Sequence, residues 1–154
     1  MKFLVDLPLG GLAKWLRFCG FYAQVRRLPP GAPGALPPPQ PHTFILTRQQ
    51  PLKEPGRPDV LVLAAAAPQE QLEEVFALLK ISRRRLKPLS RCSRCNEPLA
   101  AVDRDQVRGR VPEHVFHHQS QFYECPRCRR LFWPGSHLRG IAKTLLEKLE
   151  DNDG

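Results

Sequence analysis

The sequence predicts an α/β fold in the first half of the chain and a smaller, separate module in the second half. In the first half, short apolar runs alternate with segments whose apolar residues recur at helical spacing. This alternation is typical of a parallel sheet with helices packed on it. The second half instead carries two Cys-x-x-Cys pairs among short β-like pieces. We therefore predict two domains, at residues 1–88 and 89–154.

The elements of both domains follow from the spacing of apolar residues. Short apolar runs bounded by turn-forming residues indicate buried strands, and apolar residues three or four positions apart indicate helices. The second domain is expected to close with an amphipathic helix that starts after Ser136 and carries Leu138, Ile141, Leu145 and Leu149. In the first domain we predict a strand at residues 3–5, a helix at 9–19, strands at 43–47 and 60–63, and a helix beginning at Pro68.

Two polar residues lie where predicted strands end. Asp6 directly follows the first strand, and Thr47 is the last residue of the second. Because ligand sites of parallel sheets lie at the carboxyl ends of the strands, these positions are where a site would form.

A proline-rich segment interrupts the first domain at residues 28–42. It reads LPPGAPGALPPPQPH and contains seven of the 17 prolines of the chain. So few large apolar side chains cannot offset the entropy of ordering it, and each proline lacks a backbone donor. We predict a disordered or polyproline-like loop. Such a loop is also a candidate docking segment for a protein partner with an aromatic-lined groove.

Positive charge is concentrated in one part of the chain. The formal net charge is +9, and residues 80–140 alone carry fourteen basic and five acidic residues. A concentrated basic field favours RNA or single-stranded nucleic acid as a partner, although a solvated basic face remains the alternative. The candidate nucleic-acid-binding residues are Arg83, Arg84, Arg85, Lys87, Arg127, Arg129 and Arg130.

No segment has the roughly 18 consecutive apolar residues that would span a bilayer. Asp6 also interrupts the N-terminal apolar run too early for a secretory signal. We expect a soluble intracellular protein, cytoplasmic or nuclear, without a membrane partner.

Four cysteines have the spacing of a metal site. Cys92 and Cys95 form one pair, Cys125 and Cys128 form the other, and 29 residues separate the pairs. Four convergent thiolates select zinc, so we expect one structural Zn²⁺ per chain in a zinc ribbon. Because all four positions are filled by protein, no position is left for a reactive water. Disulfide or redox chemistry is the alternative.

Five segments together resemble the Mut-seven C-terminal RNase domain family: FLVDLPLGGLAKWLRFCGF, FILTR, PQEQLEEVF, RCSRCNEPL and FYECPRCRRLFWPGSH. The similarity covers most of residues 2–140, in order. It implies a PIN-like nuclease fold followed by a zinc ribbon. It also implies metal-dependent hydrolysis of RNA, with strand-end carboxylates holding Mg²⁺ or Mn²⁺. Asp6 matches the first of these carboxylates and is the candidate catalytic residue.

The sequence departs from the family at two places. The proline-rich segment has no counterpart, and Gln49 stands where the family has an acid after the LTR motif. A neutral amide cannot neutralise divalent cations, so we expect a weak or inactive nuclease.

Members of the family also form part of larger proteins with a 3′-5′ exonuclease domain, for which this chain has no room. We therefore expect a short isoform, a fragment or a standalone copy that binds RNA or single-stranded nucleic acid. The rival hypothesis is a zinc-stabilised protein-interaction module without catalysis.

Overall fold

The computed structural model describes residues 1–135, and the chain divides into two compact units. The first comprises Met1–Arg17 and Phe21–Ile81, and the second comprises Phe18–Gly20 and the chain from Ser82 onward. The division thus falls after residue 81, whereas the sequence analysis placed it after residue 88. The predicted terminal helix, with its N-cap Ser136, lies outside the described residues.

The first unit is built on a four-stranded parallel sheet in the order β2-β1-β3-β4. The predicted strands and helices are all found, and β2 was not predicted because its sequence, YAQVR, has only two clearly apolar residues. The elements are β1 (Lys2–Asp6), α1 (Gly10–Phe18), β2 (Tyr22–Arg26), β3 (Thr43–Thr47), β4 (Val60–Val62) and α2 (Pro68–Leu79).

The order of the strands determines where a site can form. From β1 the chain passes to β2 on one side, and then crosses to β3 on the other side of β1. The direction of the connections therefore reverses between β1 and β3. In open parallel sheets a crevice forms at this switch point, outside the carboxyl ends of the two strands. Asp6 ends β1 and Thr47 ends β3, so both residues lie at this crevice.

Aromatic residues form part of the core of this unit. Phe3 of β1 meets Phe21 edge-on, with 5.6 Å between ring centroids, and Phe21 meets Phe76 of α2 at 6.1 Å. Lys80 follows the last residue of α2 and adopts the left-handed conformation at φ 51°. The next amide, of Ile81, donates to the carbonyl of Phe76 at 2.9 Å. Bonds of this kind satisfy the last carbonyls of a helix.

The proline-rich segment packs onto the protein, in contrast to the disorder expected from its composition. Leu28 and Leu36 lie at its two anchor points and are buried in a cluster with Ile45, Leu52 and Val60. Arg57 donates to the carbonyl of Pro37 at 2.8 Å. The segment has few large apolar residues, but two of them, Leu28 and Leu36, are buried in this cluster, and composition alone does not reveal that. Prolines also reduce the entropy lost on ordering a loop, because the unfolded segment is already restricted.

The second unit contains a three-stranded antiparallel sheet in the order β5-β6-β7. Val107, Phe116 and Phe122 form its small core. The α/β fold with a four-cysteine module, as predicted, is confirmed. Within residues 1–135 no helix combines the length and apolar character that crossing a membrane requires. The elements are β5 (Ala100–Val102), α3 (Glu113–His118), β6 (Phe122–Glu124) and β7 (Leu131–Phe132).

Candidate functional site

The carboxylate of Asp6 is buried, with only 3% of the residue exposed, and it accepts three hydrogen bonds. Its Oδ2 accepts from the hydroxyl of Thr47 at 2.8 Å and from Nε2 of Gln49 at 3.0 Å. Its Oδ1 accepts from the backbone N–H of Leu28 at 3.3 Å. All three donors are neutral. The two bonds to Oδ2 match the two lone pairs of that oxygen, so they occupy the directions in which a cation would bind.

The orientation of the Gln49 amide follows from its second partner. The backbone N–H of Gly31 donates to Oε1 of Gln49 at 3.0 Å, so the carbonyl end of the amide faces that loop. The nitrogen end therefore faces Asp6 and donates. The backbone N–H of Gln49 also donates to the hydroxyl oxygen of Thr47 at 3.1 Å. Gln49 thus links the end of β3 to the proline-rich segment and to Asp6.

A cavity of about 420 Å³ opens beside Asp6 at the carboxyl ends of the strands. Asp6 is the only acid among the described residues that line it, and two arginines, Arg27 and Arg48, line it as well. Sequence analysis did not select either arginine. The signal was available, because Arg48 directly follows β3 and Arg27 directly follows β2. The remaining lining residues are Leu7, Pro8, Leu9, Leu28, Pro30 and Gln49.

Three other acids of the first unit, Asp59, Glu54 and Glu70, lie outside the lining of this cavity. Asp59 is bound by Arg57 through two hydrogen bonds of 2.9 Å, and these bonds lower the pKa of its carboxyl. Glu54 lies exposed in a loop, and Glu70 lies exposed in the first turn of α2. Gln49, where the sequence resemblance leads us to expect an acid, therefore has no acidic replacement among the described residues lining the cavity.

The four cysteines converge on one point. The sulfur atoms of Cys92, Cys95, Cys125 and Cys128 all lie within 4.8 Å of one another, and Cys92 and Cys128 are 3.9 Å apart. Within residues 1–135 this is the only group of three or more His, Cys, Asp or Glu side chains arranged to hold a metal ion. The cysteines are thus positioned to bind a metal, as the sequence spacing predicted.

The two cysteine knuckles have the same backbone geometry. In the first, the N–H of Cys95 donates to the sulfur of Cys92 at 3.3 Å, and the N–H of Asn96 donates to the carbonyl of Cys92 at 2.9 Å. In the second knuckle, Cys128 and Arg129 make the equivalent bonds to Cys125 at 3.5 and 2.8 Å. Asn96 and Arg129 both have φ of 64°, the left-handed conformation that closes each turn.

The thiols of the cluster differ in pKa: desolvation by burial raises the pKa of Cys92 and raises that of Cys95 to about 12, whereas the pKa of Cys128 shifts downward. A backbone hydrogen bond from Arg130 lowers the pKa of the Cys128 thiol to about 7. This thiol is therefore easier to deprotonate than an ordinary cysteine, and thiolates are the form that binds metal. Cys19 lies apart from the cluster, and burial raises the pKa of its thiol to about 12. Cys19 is a buried small side chain without nucleophilic character.

Two of the predicted nucleic-acid-binding residues, Arg127 and Arg129, form ion pairs with acids of the second unit. Arg129 contacts buried Glu124 at 3.1 Å, and Arg127 lies 4.0 Å from Glu97. Part of their charge is therefore compensated within the ribbon. The others lie at exposed positions, with the three consecutive arginines in a short 3-10 turn; they are Arg83, Arg84, Arg85, Lys87 and Arg130.

Comparison with known proteins gave one family. The family described as Mut7-C RNAse domain matches residues 1–145. No curated protein and no solved structure gave a significant match. The match spans both the parallel sheet that carries Asp6 and the four-cysteine module, as the sequence resemblance implied. The chain therefore belongs to the Mut7-C RNAse domain family.

Proposed function

We propose that this chain binds RNA or single-stranded nucleic acid and hydrolyses it weakly or not at all. Membership of an RNase domain family supports a nucleic-acid-related role. The excess of basic residues in the second half of the chain supports binding to a polyanion.

The catalytic half of this proposal rests on the hydrogen bonds that Asp6 accepts from neutral donors. Mg²⁺ and Mn²⁺ prefer oxygen ligands, and carboxylates offset their charge. The cavity offers one carboxylate, and Gln49 donates an N–H to the oxygen that would face the ion. A divalent ion at this place would have to displace neutral donors and would keep most of its charge uncompensated. Metal-dependent hydrolysis by this site should therefore be slow.

A cleavage assay tests the catalytic half directly. We expect single-stranded RNA to remain largely intact with Mg²⁺ or Mn²⁺, and we expect Asp6→Ala to cleave no less than the unaltered chain. Efficient cleavage that Asp6→Ala abolishes would overturn this half of the proposal, because it would show a complete metal site.

A binding assay tests the other half. The logarithm of the affinity for unstructured RNA should fall linearly with the logarithm of salt concentration, because phosphate contacts release counterions. Replacing Arg84 and Arg85 together by Ala should reduce that slope. Replacing Lys14 and Lys53, which are exposed on the first unit, removes the same charge and should leave the slope nearly unchanged. RNA binding that is absent or indifferent to salt would favour the protein-interaction module instead.

We also propose that the metal of the cysteine cluster is a single structural Zn²⁺. A tetrahedral ion with Zn–S bonds of about 2.3 Å places its sulfur atoms about 3.8 Å apart. The separation of 3.9 Å between Cys92 and Cys128 fits that value. The ion would hold the ribbon together, as in small modules whose own core is insufficient. Metal analysis of the purified protein is the direct test, with one zinc per chain as the expected result.

A further inference from the structure

We propose that the cavity beside Asp6 binds one nucleotide by its phosphate, which Arg27 and Arg48 hold without a divalent metal. This inference rests on the proposed function and names the ligand of the same site. The cavity volume of about 420 Å³ lies near the lower end of the usual range for small-molecule pockets, roughly 300–1,000 Å³. It suits a single nucleotide far better than a duplex.

The two arginines provide the anion-binding chemistry. Both lie at exposed positions and line the cavity, and neither takes part in the ion pairs identified within residues 1–135. Arg48 donates one long hydrogen bond, of 3.4 Å, to the carbonyl of Ala64. Most of its guanidinium N–H groups therefore remain for a ligand. Guanidinium groups bind phosphate oxygens through charge-assisted, often bidentate hydrogen bonds.

Among the described residues, the cavity lining carries two arginines and a single acid, Asp6, so its formal charge is positive. The Asp6 oxygens accept hydrogen bonds from Thr47, Gln49 and Leu28, which disperse part of the carboxylate charge. In this chain the carboxylate orders the loop around Leu28, the residue that follows Arg27. Asp6 therefore acts as a positioning residue for the anion site, and a metal ion is not needed to make the cavity attractive to phosphate.

An apolar surface at the cavity provides a place for the base. Leu7 is 45% exposed, which makes it one of two large exposed hydrophobic residues in the described chain. Pro8 and Pro30 line the cavity beside it. A sugar and base packed on these side chains would cover apolar surface that water now contacts, while the phosphate meets the arginines.

The test measures binding of uridine 5′-monophosphate to the full chain by calorimetry, in buffer free of Mg²⁺ and Mn²⁺ but without a chelator, which would remove the proposed Zn²⁺, and then with added Mg²⁺. We expect binding in the Mg²⁺-free buffer that Mg²⁺ does not strengthen, and no measurable binding of uridine, which lacks the phosphate. Arg27→Ala and Arg48→Ala should each weaken binding about tenfold or more, the usual effect of losing a charge-assisted hydrogen bond. Arg26→Ala is the matched control, because Arg26 lines a different cavity, and it should bind as the unaltered chain does.

Competition distinguishes the two sources of the nucleotide. If the monophosphate displaces labelled single-stranded RNA, the occupant is a nucleotide of an RNA chain; if it binds without displacing RNA, the occupant is a free nucleotide. Both results support the inference. Binding that requires Mg²⁺ or Mn²⁺, or binding that survives in both arginine variants, overturns it. Absent nucleotide binding with intact salt-dependent RNA binding overturns this inference alone, whereas loss of both overturns the proposed function as well.

Discussion

Replacing Gln49 by Glu should destabilise the first unit in the absence of metal. The substitution keeps the shape of the side chain and puts an oxygen where Nε2 now lies, 3.0 Å from Oδ2 of Asp6. Two carboxylates about 4 Å apart repel by about 4 kcal/mol at an effective dielectric constant near 20. Gln49 is half-buried, so solvent screening reduces this value. We expect the free energy of unfolding to fall by about 2–4 kcal/mol at neutral pH in buffer without Mg²⁺ or Mn²⁺.

The loss should depend on pH and on metal. A neighbouring like charge raises the pKa of the introduced carboxyl in the folded state above its unfolded value of about 4.3. Below its unfolded-state pKa the introduced carboxyl is protonated in both states and costs no stability. The loss of stability develops as the pH rises through the folded-state pKa. Mn²⁺ should restore stability, because the variant has two carboxylates to bind it; an ion at 100 times its Kd adds about 2.7 kcal/mol.

Thermal unfolding tests this prediction, with Gln50→Glu as the control. Gln50 is the exposed neighbour, and no contact between it and Asp6 is identified within the described chain, so its variant adds the same charge without the repulsion. Equal melting temperatures for the two variants without added Mg²⁺ or Mn²⁺, and no selective gain from Mn²⁺, would show that Gln49 does not face Asp6. That result would remove the structural reason for expecting a weak divalent-metal site beside Asp6.

Three further predictions concern stability and the metal. Cys125→Ser should abolish zinc binding and unfold the ribbon, whereas Cys19→Ala should leave the zinc content at one per chain, as measured by metal analysis. Leu36→Ala should cost about 2–5 kcal/mol in chemical denaturation because Leu36 is 7% exposed, and Leu78→Ala should cost far less because Leu78 is 54% exposed; equal costs would contradict an ordered proline-rich segment. Lys80→Gly should raise the free energy of unfolding by about 1 kcal/mol, since glycine adopts φ of 51° without strain, and a loss of stability would contradict this helix cap.

The sequence predicted those parts of the structure that depend on local patterns. Strand β3 and helix α2 were found from apolar spacing, and the metal cluster was found from two short cysteine motifs. The packing of Leu36 could not be predicted, because its partners Leu52 and Val60 lie in other elements further along the chain.

Only part of the candidate site was predicted, again because sequence patterns report local features. Asp6 and Thr47 were identified because strand ends are local features of the sequence. The bond from Gly31 that orients Gln49 spans 18 residues, and Arg27 reaches the cavity from a strand that was not predicted. Such long-range placements arise from the fold as a whole, so composition and spacing carry little information about them.

The matching backbone geometry of the two knuckles has a consequence for how the ribbon folds. Each knuckle closes within six residues, from Cys92 to Glu97 and from Cys125 to Arg130, so its hydrogen bonds connect near neighbours in sequence. Local closures of this length are fast, whereas joining two knuckles across 29 residues is slower and entropically costly. A metal ion held by all four cysteines would make this long-range connection. The folding rate of the second unit is therefore expected to rise with the concentration of free metal, while the turns themselves form independently of it.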